Sequence, residues 1–165
     1  MSAAAQPLLE TEDLHVRFDT PHGEVHAVRG VSFEVGRERV GIVGESGSGK
    51  TMTGRAILRL TPRTARVDAK RLAFAGENLL AASAARMREI RGRRISMILQ
   101  DPKFSLNPVM RVGEQVAEAY RAARKGTREQ ARERALDMLR KSASAIPGAS
   151  TTFTLTRFPA AWASA

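Results

Sequence analysis

The sequence predicts a mixed α/β fold, and three observations predict it. A short apolar stretch, Val40 to Val43, leads into a glycine-rich loop, and a helical pattern begins at Lys50. Upstream of it, two segments alternate apolar and polar residues as half-buried strands do. Downstream, the chain carries further apolar strand-like runs and then two helical segments.

Taken in order, Leu8 to Phe18 (LLETEDLHVRF) reads as a strand, and Asp19 to Glu24 (DTPHGE) as a turn marked by Pro21 and Gly23. Val25 to Val35 alternates again, with Val28, Val31, Phe33 and Val35 suited to a pleated surface. Val40 to Val43 is expected as a short strand, and Lys50 to Leu60 as a helix closed by Thr61 and Pro62. Arg71 to Ala75 is expected as a strand, and Leu79 to Arg91 as a helix with Met87 and Ile90 on one side. Ile95 to Leu99 (ISMIL) reads as an apolar strand that stops at Gln100, Asp101 and Pro102, with a polar loop running to Pro108. Helices are expected over Val112 to Ala123 and Thr127 to Arg140. From Ser142 to Ala165 the chain is mostly Ala, Ser, Thr and Pro, with one arginine and no acid, the composition of a disordered tail. No internal repeat is present.

The 165 residues suit one domain or part of a larger one. No run of about 18 apolar residues could cross a bilayer, and Met1 to Leu9 lacks the basic head and apolar stretch of a secretory signal. The chain has no cysteine, which excludes disulfides and thiolate-bound metals. The formal net charge of +10 is concentrated in Arg86 to Arg94 and in Arg121 to Lys141. In the second stretch Glu129, Glu133 and Asp137, with Glu118 just ahead of it, interleave with the arginines at spacings that pair across helix turns. A solvated helix face is therefore expected there rather than a nucleic-acid surface, and no aromatic residues interleave to stack bases.

The segment Gly44-Glu45-Ser46-Gly47-Ser48-Gly49-Lys50-Thr51 satisfies G-x-x-x-x-G-K-[ST] at every fixed position. The chemistry calls for this arrangement. A triphosphate must be gripped without a covalent bond, so glycines let the backbone wrap closely and aim its N–H groups inward. The positive end of the following helix adds to that field. Lys50 is expected to reach the β- and γ-phosphates of ATP, and the Thr51 hydroxyl to ligate Mg²⁺. The strand before and the helix after are the context that separates a site from a chance string of glycines.

A phosphate loop alone does not choose among transporters, kinases, GTPases and helicases. Four stretches do: LLETEDLHVRFDTPHGEVHAVRGVSFEV, VGESGSGKT, REIRGRRISMI and ISMILQDPKFSLNPVMRVGEQV. Together, from about Leu8 to Leu139, they resemble the ATP-binding subunits of ABC transporters, of the dipeptide and oligopeptide importer branch. Gln100 through Ser105-Leu106-Asn107-Pro108 is the stretch most specific to that branch. The resemblance implies an ABC-type P-loop nucleotide-binding domain, truncated: its N-terminal β-subdomain, part of its core sheet and the start of its helical subdomain. It implies that Phe18 stacks on adenine, although an ordinary core phenylalanine fits the sequence equally. It implies that Gln100 (the Q-loop residue) sits near Mg²⁺ and the attacking water, and that Lys103 to Met110 faces the membrane subunit. The implied partners are membrane-spanning transporter subunits and a second ATP-binding subunit, with no nucleic acid. The implied location is the cytoplasmic face of the inner membrane, reached only through those partners.

Two departures stand beside the resemblance. Gly36 to Arg39 (GRER) is one residue shorter than the turn usual in the family. The signature helix, the Walker B strand with its acidic pair, the D-loop and the switch histidine do not occur in this sequence. Residues 1–141 are accordingly expected to be an incomplete nucleotide-binding domain and 142–165 a non-native tail. Phe153 to Ala165, back-translated and read two nucleotides later, can spell YPHEVSGGMGQR, which contains a signature motif like the family's. A shifted reading frame after about Leu139 is therefore expected. Three readings follow: an ATPase subunit driving peptide import, an inactive remnant of one, and a P-loop ATPase of another class.

Overall fold

The computed structural model describes residues 6–100, 106, 107, 109–124 and 126–144. The chain divides into two units, Met1–Arg88 and Glu89–Ala165.

The first unit is built on an antiparallel sheet. β1 (Leu9–Thr20) pairs along its length with β2 (Gly23–Val35). Thr20 faces Gly23 across a turn of Pro21 and His22, tighter than the sequence suggested. Proline fixes its own φ, Gly23 adopts φ 113°, and the Thr20 hydroxyl donates to the Gly23 carbonyl at 2.6 Å. The opposite edge of β1 is shared. Its first residues pair with β4 (Arg71–Phe74), and His15 to Phe18 pair with β3 (Ala65–Asp68). β5 (Glu77–Asn78) closes a hairpin on β4, with Ala75 and Gly76 both at positive φ.

Leu14, Val16, Val28, Leu72, Phe74 and Leu79 are buried. Burying each such side chain stabilises the fold by about 1.5–3 kcal/mol. Leu14 is fully enclosed, so Leu14→Ala is expected to cost about 2–5 kcal/mol in a urea unfolding experiment. Across the β1–β4 edge, Arg71 forks onto Glu10, with contacts at 2.5 and 3.0 Å. That hydrogen bond holds the Glu10 carboxyl below its ordinary value of 4.5. A lowered carboxylate pKa means that the folded state binds fewer protons than the unfolded chain. Its contribution is complete above the unfolded value and fades as pH falls through the folded one. Glu10→Gln is expected to flatten the acid limb of the stability profile, as read by denaturation at a series of pH values.

α1 (Lys50–Ile57) follows the glycine loop and ends earlier than Leu60. Arg59 takes φ 50°, Leu60 N–H donates to the Arg55 carbonyl at 2.8 Å and Arg59 N–H to that of Ala56 at 2.9 Å, a Schellman stop. The Arg59 guanidinium donates to the carbonyls of Leu79 and Ala82, which secures the turned-out residue. α2 (Ala84–Ile90) is likewise shorter than Leu79 to Arg91. The Asn78 side chain accepts from the N–H groups of Leu80 and Ala81, at 2.9 and 3.3 Å, and so holds a turn where a helix was expected.

Two strand expectations are corrected. Val40 to Val43 belongs to no strand, and Val43 is 96 % exposed. Ile95 to Leu99 forms only the isolated bridge of Ile95 to Arg91, and Ile98 is 94 % exposed. A fully apolar run is a strand only when neighbours supply its hydrogen bonds and cover both faces. Among the described residues no strand does so for either segment.

In the second unit α3 (Val112–Ala123) and α4 (Arg128–Ser144) pack on each other. Thr127 and Gln130 form a reciprocal capping box at the start of α4. Arg134 and Lys141 both reach Asp137, at 2.5 and 3.0 Å, as expected for a solvated helix face. α4 continues past Lys141 to Ser144, and the rest of the tail lies outside the described residues.

Candidate functional site

The loop Gly44 to Thr51 is closed on itself by its lysine. Lys50 Nζ donates to the carbonyl oxygens of Gly44 and Glu45, each at 2.6 Å, and lies 3.2 Å from Ser48 Oγ. An ammonium has three N–H donors and no acceptor, so three oxygens satisfy it. The Ser48 N–H donates to the Glu45 carbonyl at 3.2 Å, and Ser46 lies in the turn. Gly47 and Gly49 hold φ 82° and 90°, a region that costs other residues about 1–2 kcal/mol.

Gly49 ends the loop and caps α1 from a left-handed conformation. A Cβ built on it would lie 2.5 Å from the Ala27 carbonyl oxygen and 3.3 Å from Val28 Cγ2. The loop therefore presses on β2 so closely that only a hydrogen fits. Thr53 fastens the first turn, its N–H donating to the Gly49 carbonyl at 2.8 Å and its hydroxyl at 3.1 Å. No side chain caps the start of α1, and no acidic residue occupies its first turn. The unshared N–H groups of a helix start favour anions, and among the described residues no side chain caps them. Thr51 is exposed beside Lys50. Backbone donors, one ammonium and a glycine pressed against a strand suit a polyphosphate.

Phe18 is half-buried on β1 and lies opposite Val25 of β2. Val25 is 52 % exposed, a large fraction for a branched apolar residue beside an aromatic ring. Sequence reasoning passed over Val25 because an alternating strand gives no sign of which apolar residue stays uncovered. Ala27, the residue that Gly49 touches, is two positions along β2 from Val25, about 7 Å.

Gln100 follows the Ile95 to Leu99 segment in the second unit and is exposed. Asp101 to Ser105 and Pro108 lie outside the described residues. Next to them, the Gln115 side chain accepts from the Asn107 N–H at 2.8 Å and donates to the carbonyls of Asn107 and Met110 at 2.9 and 3.0 Å. Gln115 thus fixes the end of this stretch to α3. The sequence carried no signal for that role beyond a polar residue in the helix's first turns.

A protein-family model described as ABC transporter matches residues 15–153. The protein named "Probable peptide ABC transporter ATP-binding protein y4tR" from Sinorhizobium fredii is 47 % identical over 138 residues, covering 82 % of this chain and 41 % of that protein. The dipeptide transport ATP-binding protein DppD of Lactococcus lactis is 41 % identical over 140 residues, 84 % of this chain and 40 % of the relative. The oligopeptide transport ATP-binding protein OppD of Bacillus subtilis is 43 % identical over 134 residues, 80 % and 37 % respectively. This chain spans about two fifths of the length of these curated relatives. The α/β fold, the glycine loop closed on Lys50 and the match over most of the sequence agree: the chain belongs to the ABC transporter family, whose members are ATPases coupled to transport.

Proposed function

We propose that this chain is the ATP-binding part of a peptide importer, and that it grips Mg·ATP at Gly44 to Thr51. The observation that carries the reading is the Lys50 ammonium held on three loop oxygens at the uncapped start of α1. Those oxygens keep the ammonium aimed within the loop, from which it transfers to the β- and γ-phosphates. The backbone of Glu45, Ser46, Gly47 and Ser48 supplies the N–H cradle. The Thr51 hydroxyl is the group of this unit proposed to hold Mg²⁺, which would neutralise phosphate charge; for Gln100 a role at the metal is proposed from the family resemblance alone. Phe18 and Val25 offer an apolar seat for adenine, and the spacing from Val25 to Gly49 suits a nucleotide lying along β2.

The names of the relatives support peptides as the cargo, and with them membrane-spanning subunits as partners; a second ATP-binding subunit is proposed from the family resemblance alone. Association with the cytoplasmic face of the membrane through those subunits follows, and no helix among the described residues is long and apolar enough to cross a membrane. Residues 1–141 are read as the nucleotide-binding portion. For the chain taken alone a restricted role is proposed, because no acidic pair follows an apolar strand in the sequence. On this reading the isolated chain binds nucleotide without hydrolysing it efficiently.

Titration of the folded chain with a fluorescent ATP analogue and Mg²⁺ tests the assignment. Saturable binding below millimolar concentration is expected, and a folded sample indifferent to millimolar Mg·ATP overturns it. Phe18→Ala is expected to weaken ATP by roughly 5- to 100-fold, the equivalent of about 1–3 kcal/mol of base stacking. Inorganic triphosphate, which has no base, should bind that variant as it binds the parent. Equal losses for both ligands would make Phe18 a packing residue only.

A further inference from the structure

The polar face of the β1–β2 pair carries a chain of three hydrogen-bonded groups that the nucleotide reading does not use. Asp13 Oδ1 lies 3.0 Å from His15 Nε2, and His15 Nδ1 lies 2.9 Å from His26 Nε2. The two rings are tilted by 30° with centroids 5.1 Å apart. Asp13 is placed for this by a left-handed φ of 53°, in a stretch where β1 departs from regular register with β2. Its backbone N–H donates to Ser32 Oγ at 2.8 Å, and its second oxygen faces Lys70 at 3.3 Å. Gly30 leaves room opposite, since a Cβ there would come 3.1 Å from the carboxylate.

The arrangement has a limited capacity for protons. With both rings neutral, His15 donates to Asp13 through Nε2 and accepts from His26 at Nδ1. With one added proton, the pair still has a single hydrogen between Nδ1 and Nε2, and the bond survives. With two, an N–H faces an N–H across 2.9 Å, and the rings must part.

We propose that Asp13, His15 and His26 form a latch between β1 and β2 that accepts one proton but not two, and that the second proton loosens the seat of Gly49 and weakens the hold on nucleotide phosphate. The proposal rests on the phosphate-site reading. The link to the loop is short. His26 is followed by Ala27, whose carbonyl oxygen leaves Gly49 no space for even a methyl group. A shift of β2 at His26 therefore moves the wall on which the loop's last residue rests.

The surrounding charges set the direction of the response. Burial holds His26 below its ordinary value of 6.5, with Arg17, His15 and Arg29 acting the same way and Glu24 opposing them. Around the latch, β1 supplies Asp13 and Arg17, and β2 supplies Glu24 and Arg29, whose Nε donates to the His26 carbonyl at 3.1 Å. β3 supplies Asp68, paired with Arg17 at 2.9 Å, and Arg66, paired with Asp19 and Glu24. Lys70 follows β3, and α1, which packs on both strands, carries Lys50 and Arg55. A histidine with a lowered pKa favours the folded, latched state above its unfolded value, and that advantage is lost as pH falls through the folded value.

Two measurements on the full chain test the latch. In nucleotide-free protein, the two ring resonances should titrate as a coupled pair, and the Gly49 amide should follow the more acidic step. Rings that titrate independently, or a Gly49 signal that ignores them, would overturn the proposal. The affinity for a fluorescent ATP analogue should fall several-fold from pH 8 to pH 5.5. His26→Gln, whose amide can still donate to His15 Nδ1, should bind normally at pH 8 and lose much of that acid dependence. Protonation of the nucleotide itself is common to both proteins and drops out of the comparison. An undiminished acid loss in His26→Gln refutes the coupling. A parent protein that binds nothing at pH 8 refutes the phosphate site instead, while the ring and Gly49 titrations still decide the latch.

Discussion

Lys50→Ala is expected to lose nucleotide binding by at least two orders of magnitude while unfolding at nearly the parent temperature. Both halves of that expectation come from the same three contacts. In the free loop the ammonium sits on the Gly44 and Glu45 carbonyls and on Ser48 Oγ, and these lie at the surface. Water can replace the ammonium there, so little stability is lost with it. Against phosphate the exchange is unequal. Each charge-assisted hydrogen bond contributes about 1.5–3 kcal/mol, and two of them are worth about 3–6 kcal/mol. Since every 1.4 kcal/mol is about tenfold in affinity, a loss of more than 100-fold follows. Lys50→Arg is not a rescue, because a planar fork cannot occupy the point between two carbonyls that a compact ammonium fills. The readouts are a fluorescent-analogue titration and thermal denaturation of the same samples. Unchanged affinity in Lys50→Ala would remove the site assignment, and a large drop in unfolding temperature would make Lys50 a structural residue.

What was legible in the sequence is what local chemistry dictates. The β1 and β2 strands could be read because Leu14, Val16 and Val28 alternate with polar residues and end at Pro21 and Gly23. The bounds of α3 agree with the expected Val112 to Ala123. The glycine loop was legible because its backbone conformation demands specific residues, and Gly47 and Gly49 take the positive φ that the motif requires. What escaped depends on neighbours. β3 and β5 are too short, at 4 and 2 residues, to show a period; the free edge of β1 creates the first and that of β4 the second. Conversely, Val40 to Val43 has an unmistakable strand composition and forms no ladder, because composition supplies no partner. The same distinction separates the site residues. Lys50 stands out through a motif, whereas Val25, Gln115 and the His15–His26 contact become visible only when strands and helices are laid side by side.

Gly49→Ala is the substitution expected to damage the protein most for the fewest atoms. At φ 90° an alanine is strained by about 1–2 kcal/mol before it meets anything. It then meets the Ala27 carbonyl at 2.5 Å, and a backbone oxygen within a paired strand cannot swing aside as a side-chain tip could. Either β2 shifts, disturbing Val28 and the contacts behind it, or the loop lifts and the start of α1 loses its Thr53 fastening. Overpacking of this kind adds about 1–3 kcal/mol, for a total of about 2–5 kcal/mol. That is a large share of the 5–15 kcal/mol typical of a domain. Gly47→Ala supplies the control. It shares the positive φ, at 82°, but a Cβ there meets nothing within 4 Å, so it should carry the strain alone. Urea unfolding of the two variants should therefore separate by about 1–3 kcal/mol, with Gly49→Ala the weaker and its nucleotide affinity falling further. Equal stabilities would mean that the close approach of the loop to β2 does not exist in solution, and the placement of Phe18 and Val25 beside the phosphate loop would lose its support with it.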